Sequence, residues 1–352
     1  MKWEENVRRV VPYTPGEQPQ KDGIIKLNTN ENPYGPAPGV ARAMNGLDAE
    51  QLRLYPAFPE KTDLAKALAE HYQIGTDQIF IGVGSDDVLS MAFLTFFQSD
   101  RPILFPDITY SFYDVWADVY RIPYKTKALD ADFRIQPEDY RQPNGGVVFP
   151  NPNAPTGELL PLDTVEEIVK SNCDVVVIVD EAYIDFGGTS ALPLIEKYDN
   201  LLVVQTFSKS RSMAGMRIGY ACGQPQLIRY LNDVKYSVNS YTMNTAALAL
   251  GVEAVRDEAY FEGCCKKIME TRTRAEIELA NRGFVFPKSC ANFIFAAHKS
   301  VPAQEIFEKL QENDIYVRWW NKDRISNYLR ITIGTDEQME ALYRALDRIL
   351  KP

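Results

Sequence analysis

Four residues able to take part in covalent or proton-transfer chemistry follow directly after apolar segments of the chain. A lysine follows one such segment, an aspartate and a tyrosine follow another, and an asparagine follows a third. These residues are Lys209, Asp180, Tyr183 and Asn153. A lysine amine can bond covalently to a carbonyl carbon, while the other three can hold a charge or a proton beside it. The pattern indicates an amine-based active site.

The apolar segments predict the strands that would position these side chains. Segments 146–150, 175–179 and 201–204 begin about 27 residues apart, which is typical of successive βαβ units, and residues 163–170 predict a connecting helix. Parallel strands connected in this way end at the same edge of their sheet, where ligands bind in open α/β folds. We therefore expect the four side chains to line one cleft.

A glycine turn between a strand and a helix predicts an anion site. The strand covers residues 78–81, the turn contains Gly84, and Ser85 is expected at the N-cap of the helix that follows. A dinucleotide motif is not complete, because Asp87 stands where its third glycine would be. A bound phosphate requires the carboxylates of Asp86 and Asp87 to point away while their amides point inward.

An amine, a carboxylate, hydrogen-bond donors and an anion site together suit pyridoxal 5'-phosphate. Lys209 would bond to the cofactor aldehyde and later carry a proton, and Asp180 would keep the pyridine nitrogen protonated. Asn153 and Tyr183 would donate to the phenolic oxygen. The predicted phosphate cradle consists of Gly84, Ser85, Asp86, Thr206, Ser208 and Arg217.

Four motifs give the chain a family resemblance. S-K-x-x-x-x-A-G-x-R-x-G, V-D-E-A-Y, N-P-N-x-P-T-G and L-N-x-N-E-N-P resemble those of fold-type I aminotransferases, and specifically of the histidinol-phosphate aminotransferases, over residues 27–334. The resemblance implies an α/β fold in which a large domain with a mostly parallel seven-stranded sheet is joined to a smaller α+β domain. The expected divisions are an N-terminal arm at 1–40, the cofactor-binding domain at 41–255 and the small domain at 256–352.

The resemblance also implies roles for five further residues. Tyr110 would stack on the cofactor ring, and Tyr55 would reach the cofactor phosphate of a neighbouring subunit, which implies a homodimer. Tyr34 would touch the substrate, as would Asn153. Arg330 and Arg318 would bind anionic substrate groups, although a structural ion pair would equally explain an arginine between apolar strand residues.

The reaction implied by the family converts histidinol phosphate and 2-oxoglutarate to imidazole acetol phosphate and glutamate in histidine biosynthesis. Two alternatives share the cofactor residues and differ at the substrate rim: an aromatic amino-acid aminotransferase and a threonine-phosphate decarboxylase. A cofactor-sensing regulator would carry a DNA-binding helix-turn-helix, and no basic helical segment precedes residue 27.

Composition excludes several other classes of function. The 352 residues carry a net charge of -10, which argues against nucleic acid or an anionic membrane as partner. Five cysteines without a C-x-x-C pair and two histidines predict no metal site, and they leave little room for serine or cysteine hydrolase chemistry. Without an 18-residue apolar stretch or an apolar leader, we expect a cytoplasmic protein.

Overall fold

The structure, a computed structural model, describes residues 2–351. Its α-helices are α1 (Pro38–Asn45), α2 (Asp63–Tyr72), α3 (Gly84–Phe96), α4 (Tyr113–Tyr120), α5 (Leu162–Ser171), α6 (Pro225–Val238), α7 (Thr245–Arg256), α8 (Glu258–Asn281), α9 (Ala303–Glu312) and α10 (Asp336–Ile349). Its strands are β1 (Ile25–Lys26), β2 (Ile79–Gly82), β3 (Ile103–Pro106), β4 (Tyr124–Lys127), β5 (Val147–Pro150), β6 (Val177–Asp180), β7 (Leu201–Thr206), β8 (Gly219–Gly223), β9 (Phe284–Val285), β10 (Phe293–His298), β11 (Ile315–Tyr316), β12 (Arg318–Trp319) and β13 (Leu329–Thr332). None of the helices described is long and apolar enough to cross a membrane.

A seven-stranded sheet forms the large domain, in the order β2-β8-β7-β6-β5-β3-β4. Its strand pairs are parallel except those of β8, which runs antiparallel to both β2 and β7. Strands β5, β6 and β7 are adjacent, as their spacing predicts, and they are buried along their whole length. The mostly parallel α/β fold is thereby confirmed.

Alternate side chains of the central strands enter two separate cores. Val148 and Ile178 pack on the face covered by α3, α4 and α6, whereas Val147, Val177 and Val203 pack on the opposite face. Burial on both faces explains why these strands read as continuous apolar segments rather than alternating ones. The two cores leave the carboxyl ends of β5, β6 and β7 as a rigid base for the site.

The small domain is built on a four-stranded antiparallel sheet in the order β12-β13-β10-β9. Strand β1 of the N-terminal arm pairs in parallel with β11, so the arm is tied to this domain. Helix α1 crosses the boundary expected at residue 40, and α8 begins just after the one expected at 255. The domain limits given above remain a proposal.

Some element boundaries differ from those expected. Val83 rather than Ser85 occupies the N-cap of α3, because Gly84 with a φ of +82° already begins the helix. The apolar pattern of residues 315–319 predicts one strand, but the segment divides at Val317 into β11 and β12, which join different sheets. The pairing of strands in the folded protein determines where such breaks occur, and the pattern of apolar residues does not reveal them.

Candidate active site

Lys209 lies in the loop that follows β7, as its sequence position predicts. Its Nζ donates a hydrogen bond to the backbone oxygen of Thr29, at 3.0 Å, and lies 5.6 Å from the ring centroid of Tyr183. Among residues 2–351, no carboxylate lies within ion-pair distance of this amine. Lys209 is therefore held in place without a counter-charge.

Two cavities meet at Lys209. The outer cavity has a volume of about 310 Å³ and the inner one about 110 Å³. The residues lining both are Asp86, Tyr110, Ala154, Tyr183 and Lys209. The two cavities thus form one continuous cleft, with the lysine at the junction.

The inner cavity ends in a cradle suited to an anion. Arg217 reaches over the start of α3, where its Nη1 lies 3.4 Å from Ser208 Oγ. A Cβ at Gly84 would lie 2.4 Å from Arg217 Nη2, and one at Gly219 would lie 2.3 Å from the carbonyl carbon of Gly84, so both positions require glycine. Ser85, Thr206 and Ser208 also line this end. The first turn of α3 has no side-chain N-cap, which leaves its amides free for a ligand.

The two acidic residues of the turn behave differently. Asp87 points away from the cradle as expected, accepting hydrogen bonds from Lys235 Nζ at 2.7 Å and from the Val83 amide at 2.9 Å. Asp86 does not: its carboxylate lines the cleft, lies 3.1 Å from Arg217 Nη2 and accepts a hydrogen bond from Tyr110 at 2.6 Å. In the ligand-free protein Asp86 thus provides the negative charge that partners Arg217.

Asp180 lies at the base of the inner cavity. Tyr113 Oη donates to its Oδ2 at 2.9 Å, and the Ala182 amide donates to its Oδ1 at 3.3 Å. Burial raises the pKa of Asp180 from 3.8 to about 6, a rise that these hydrogen bonds and the charge of Lys209 limit. Above that pH the cleft contains a buried carboxylate suited to a cationic ligand group.

Replacing Asp180 with asparagine should stabilise the ligand-free protein. The folded state binds this proton more tightly than the unfolded chain, so the carboxylate increasingly destabilises the fold as the pH rises from about 4 to about 6. Because one pKa unit corresponds to about 1.4 kcal/mol, the variant should gain up to roughly 3 kcal/mol above pH 6 and nothing near pH 4. Urea unfolding across this range measures the difference. A variant less stable than the parent at pH 8 would contradict it.

Asn153 does not line the cleft, although it was expected to reach the cofactor and the substrate. Its Nδ2 donates to the Ile108 carbonyl at 3.0 Å and to Thr156 Oγ1 at 3.1 Å, and its Oδ1 accepts from Thr109 at 3.3 Å. The methyl group of Ala154 lines the cleft instead. The structure therefore places Tyr183 in the cleft and commits the Asn153 amide to holding its loop.

The outer cavity is lined by two arginines that both lie near one indole ring. Arg318 and Arg330 each lie with Cζ 5.2 Å from the ring centroid of Trp320. Arg330 Nη2 donates to the Asn28 carbonyl at 2.9 Å, while its buried Nε has no partner in the described part of the chain. Burial lowers the pKa of Arg330, and no carboxylate among residues 2–351 pairs with it. This orphaned cation indicates a site for an anionic ligand.

Arg318 also lines the outer cavity, but it is already hydrogen-bonded. It donates to the carbonyl groups of Thr14 and Pro15 at 3.0 and 3.1 Å, and so fastens the N-terminal arm across the cleft. Tyr13 on that arm lines the cavity too and stacks on Phe112 with a centroid distance of 4.1 Å. No motif or spacing marks Tyr13 as a site residue; only the path of the arm reveals it.

Two predicted tyrosines lie away from both cavities. Tyr34 packs beneath Lys267, whose Nζ is 5.3 Å from its ring centroid, and does not line the cleft. Tyr55 is 80% exposed and lies against Tyr241, with a centroid distance of 4.7 Å. The structure thus brings together all the predicted site residues except Tyr34, Tyr55 and Asn153. Gly84 lies directly beneath Arg217.

Comparison with known proteins places this cleft in a family. Residues 22–346 match the family described as aminotransferase class I and II. The chain belongs to the class I and II aminotransferases. This aminotransferase is 51% identical over 349 residues to histidinol-phosphate aminotransferase 1 of Hydrogenovibrio crunogenus, a match that covers 99% of this chain and 98% of the relative. It is 50% identical over 351 residues to histidinol-phosphate aminotransferase of Lactococcus lactis subsp. cremoris, covering 100% and 98%.

Solved structures share the aminotransferase fold. Histidinol-phosphate aminotransferase from Sinorhizobium meliloti, in complex with pyridoxal-5'-phosphate, has a TM-score of 0.85 at 26% identity, with 93% of this chain and 90% of that chain covered. L-threonine-O-3-phosphate decarboxylase from Porphyromonas gingivalis has a TM-score of 0.79 at 19% identity, with 94% and 100% covered, which is a likeness of fold alone. Because the fold occurs with both names, the substrate must be argued from the rim of the cleft.

Proposed function

We propose that this aminotransferase uses pyridoxal 5'-phosphate to convert histidinol phosphate and 2-oxoglutarate to imidazole acetol phosphate and glutamate, in histidine biosynthesis. Relatives with half of their residues identical over the full chain bear the corresponding name. The observation that carries the proposal is the position of Lys209 at the junction of two cavities, one with an anion cradle and a buried carboxylate, the other with two arginines.

The inner cavity fits the cofactor group by group. Lys209 offers an amine without a counter-charge, and Asp180 offers a buried carboxylate for a protonated ring nitrogen. The space above Gly84, which a Cβ would close, leaves room for Arg217 and a phosphate at the start of α3. A bound phosphate would replace the Asp86 carboxylate as the anion paired with Arg217, because both groups would bind the same guanidinium.

Each residue of the cleft has a defined task in this proposal. When bound, the cofactor supplies a ring that accepts electrons from the substrate α-carbon. Asp180 would hold the ring nitrogen in its protonated form, Tyr183 would donate a hydrogen bond to the ring oxygen, and Tyr110 would pack against the ring. The Lys209 amine would take the proton from the substrate α-carbon as general base.

The outer cavity accounts for anionic substrates at both stages of the reaction. Histidinol phosphate carries a phosphate, and glutamate and 2-oxoglutarate carry carboxylates, all of which a guanidinium binds bidentately. Arg330, with its unpaired Nε, is the primary anion ligand, and Arg318 is the second candidate. Trp320, which lines the same cavity, offers a flat aromatic surface for an imidazole ring.

Tyr55 is part of a proposed homodimer in which it reaches the cofactor phosphate of the other subunit. Leu52, Leu54 and Tyr55 are 65%, 51% and 80% exposed, an apolar stretch that a partner subunit would cover. Replacing Tyr55 with phenylalanine removes one hydrogen bond to a charged group, so the dissociation constant of the cofactor should rise by about 10- to 100-fold with the dimer intact. Fluorescence titration and sedimentation measure the two properties. A monomeric parent protein would contradict the assignment, as would unchanged cofactor affinity in the variant.

A cytoplasmic location completes the proposal. All five cysteines are free, one of them exposed at Cys173, which suits a reducing compartment. Subcellular fractionation with an antibody against the protein tests this part. Recovery of the protein from the membrane or the secreted fraction would contradict it.

Steady-state rates on three donors test the proposed substrate. Histidinol phosphate with 2-oxoglutarate should give the highest kcat/KM, because it matches both the arginines and the apolar wall. Phenylalanine as the best donor would indicate an aromatic amino-acid aminotransferase. Release of carbon dioxide from threonine phosphate at a higher rate would indicate a decarboxylase and contradict the transfer reaction.

A further inference from the structure

Asn30, in the N-terminal arm, lines the outer cavity and hydrogen-bonds to the phenol of Tyr183. Its Nδ2 donates to Tyr183 Oη at 2.9 Å, and both side chains are buried. The backbone of Asn30 is fixed as well: its amide donates to Thr332 Oγ1 at 3.1 Å, and its carbonyl accepts from Asn292 Nδ2 at 3.0 Å. The arm thus presents one amide group to one tyrosine in a fixed orientation.

Thr332 determines which atom of the Asn30 side chain faces Tyr183. The Thr332 hydroxyl accepts from the Asn30 backbone amide and donates to Asn30 Oδ1, at 3.0 Å. Within residues 2–351, Asn30 Oδ1 is the one acceptor recorded for that hydroxyl. The opposite side-chain orientation would leave the Thr332 proton without an acceptor, so the nitrogen faces the phenol.

The direction of this hydrogen bond has a chemical consequence. An amide nitrogen can only donate, so Tyr183 Oη must accept, and its own proton is left to point elsewhere. Tyr183 lines both cavities beside Lys209, where an acceptor on a bound ring would lie. We propose that Asn30 is a positioning residue, which with Thr332 makes Tyr183 a hydrogen-bond donor to the cofactor.

The backbone conformation of Asn30 agrees with a fixed position in the arm. Its φ of +56° lies in the left-handed region, which asparagine tolerates better than most residues other than glycine. Glycine at this position would keep the backbone and remove only the side chain. Aspartate would keep the shape and replace the donor with an acceptor, which would turn the Tyr183 proton away from the cleft. These two substitutions separate the role of the hydrogen bond from that of the fold.

The test is the pH midpoint of the visible absorbance change of the protein loaded with pyridoxal 5'-phosphate. A donor to the ring oxygen favours its anionic form, so losing that donor should move the midpoint upward. We expect a rise on the order of one pH unit for Asn30→Asp and a smaller rise for Asn30→Gly and Thr332→Val. Asn172→Asp, at a buried asparagine on the opposite edge of the sheet, should leave the midpoint unchanged.

A second measurement distinguishes hydrogen bonding from the added charge of aspartate. In a Tyr183→Phe background, Asn30→Asp should produce no further rise of the midpoint. An equal rise in that background, or a lower melting temperature with an unchanged midpoint, would overturn the inference. The inference rests on the proposed cofactor site, and a different experimental result would contradict each of these two proposals. A parent protein without any visible titration contradicts the cofactor site, whereas a normal parent with an unshifted Asn30→Asp variant contradicts the role of Asn30 alone.

Discussion

Replacing Lys209 with methionine is expected to abolish amino transfer, lowering kcat by more than about 10,000-fold, the upper end of what a single general base contributes. The change removes both the amine that bonds to the cofactor and the base that moves the substrate proton. Methionine keeps much of the side-chain length, and the single hydrogen bond lost, to the Thr29 carbonyl, contributes about 1 kcal/mol to stability. Single-turnover assays with histidinol phosphate measure the loss.

The matched control is Lys299→Met, at an exposed lysine in the small domain far from the cleft. It should retain the kinetics and the visible absorbance of the parent. Residual turnover by the Lys209 variant within 100-fold of the parent would show that another group carries the proton. If the Lys209→Met variant loses activity because it unfolds, circular dichroism will show the unfolding. Lys209→Arg is then the variant to measure.

Replacing Arg330 with methionine should lower kcat/KM for histidinol phosphate, glutamate or both by about 100- to 10,000-fold. Two charge-assisted hydrogen bonds, each contributing about 1.5 to 3 kcal/mol, are lost with the guanidinium. Arg330→Lys retains the charge without the planar fork and should lose less, about 10-fold. Separate rates for the two half-reactions show which substrate anion binds there.

Stability should move in the opposite direction to activity in the Arg330→Met variant. The guanidinium is buried without a carboxylate, and its Nε has no partner, so removing it should leave the ligand-free protein at least as stable. Arg282→Met is the control, because Arg282 pairs with Glu278 and Asp347 far from the cleft. That variant should lose some stability and keep its KM values. A stability loss at Arg330 with unchanged kinetics would identify it as a structural residue.

The sequence predicted the base of the site because the governing rules are local and geometric. Three apolar segments at βαβ spacing, the first two joined by a helical crossover, predict adjacent parallel strands, and adjacent strands bring Asp180 and Lys209 to one edge. The glycine turn at Gly84 was also predicted, and its left-handed φ shows why glycine stands there. The close approach of Gly219 to Gly84 emerges only from the structure. Fold and cofactor chemistry therefore follow from strand order and from residue type.

The rim of the cleft could not be predicted in the same way. In the loop after β5, two consecutive residues have different roles: Asn153 bonds to its own loop, and Ala154 lines the cleft. Apolar periodicity does not describe such an irregular turn. The N-terminal arm lies over the site through contacts between residues some 300 positions apart, such as Thr14 with Arg318. Those contacts place Tyr13 in the cleft and Tyr34 outside it.

Trp319 and Trp320 are adjacent in the sequence, and their different surroundings could not be predicted from it either. Trp319 turns away from the cleft, packs on Phe307 and donates to the Ser326 carbonyl at 2.8 Å, whereas Trp320 lines the outer cavity near both arginines. Alternation along an extended segment sends adjacent side chains to opposite faces, but only the fold decides which face is the cleft. The role of the pair therefore follows from the structure.

Covalent mapping of the cofactor tests the central claim most directly. The protein, loaded with pyridoxal 5'-phosphate, is reduced with borohydride, digested and examined by mass spectrometry. We expect one modified peptide, which carries the cofactor on Lys209. A protein that retains no cofactor after reduction, or one modified at a different lysine, would contradict it.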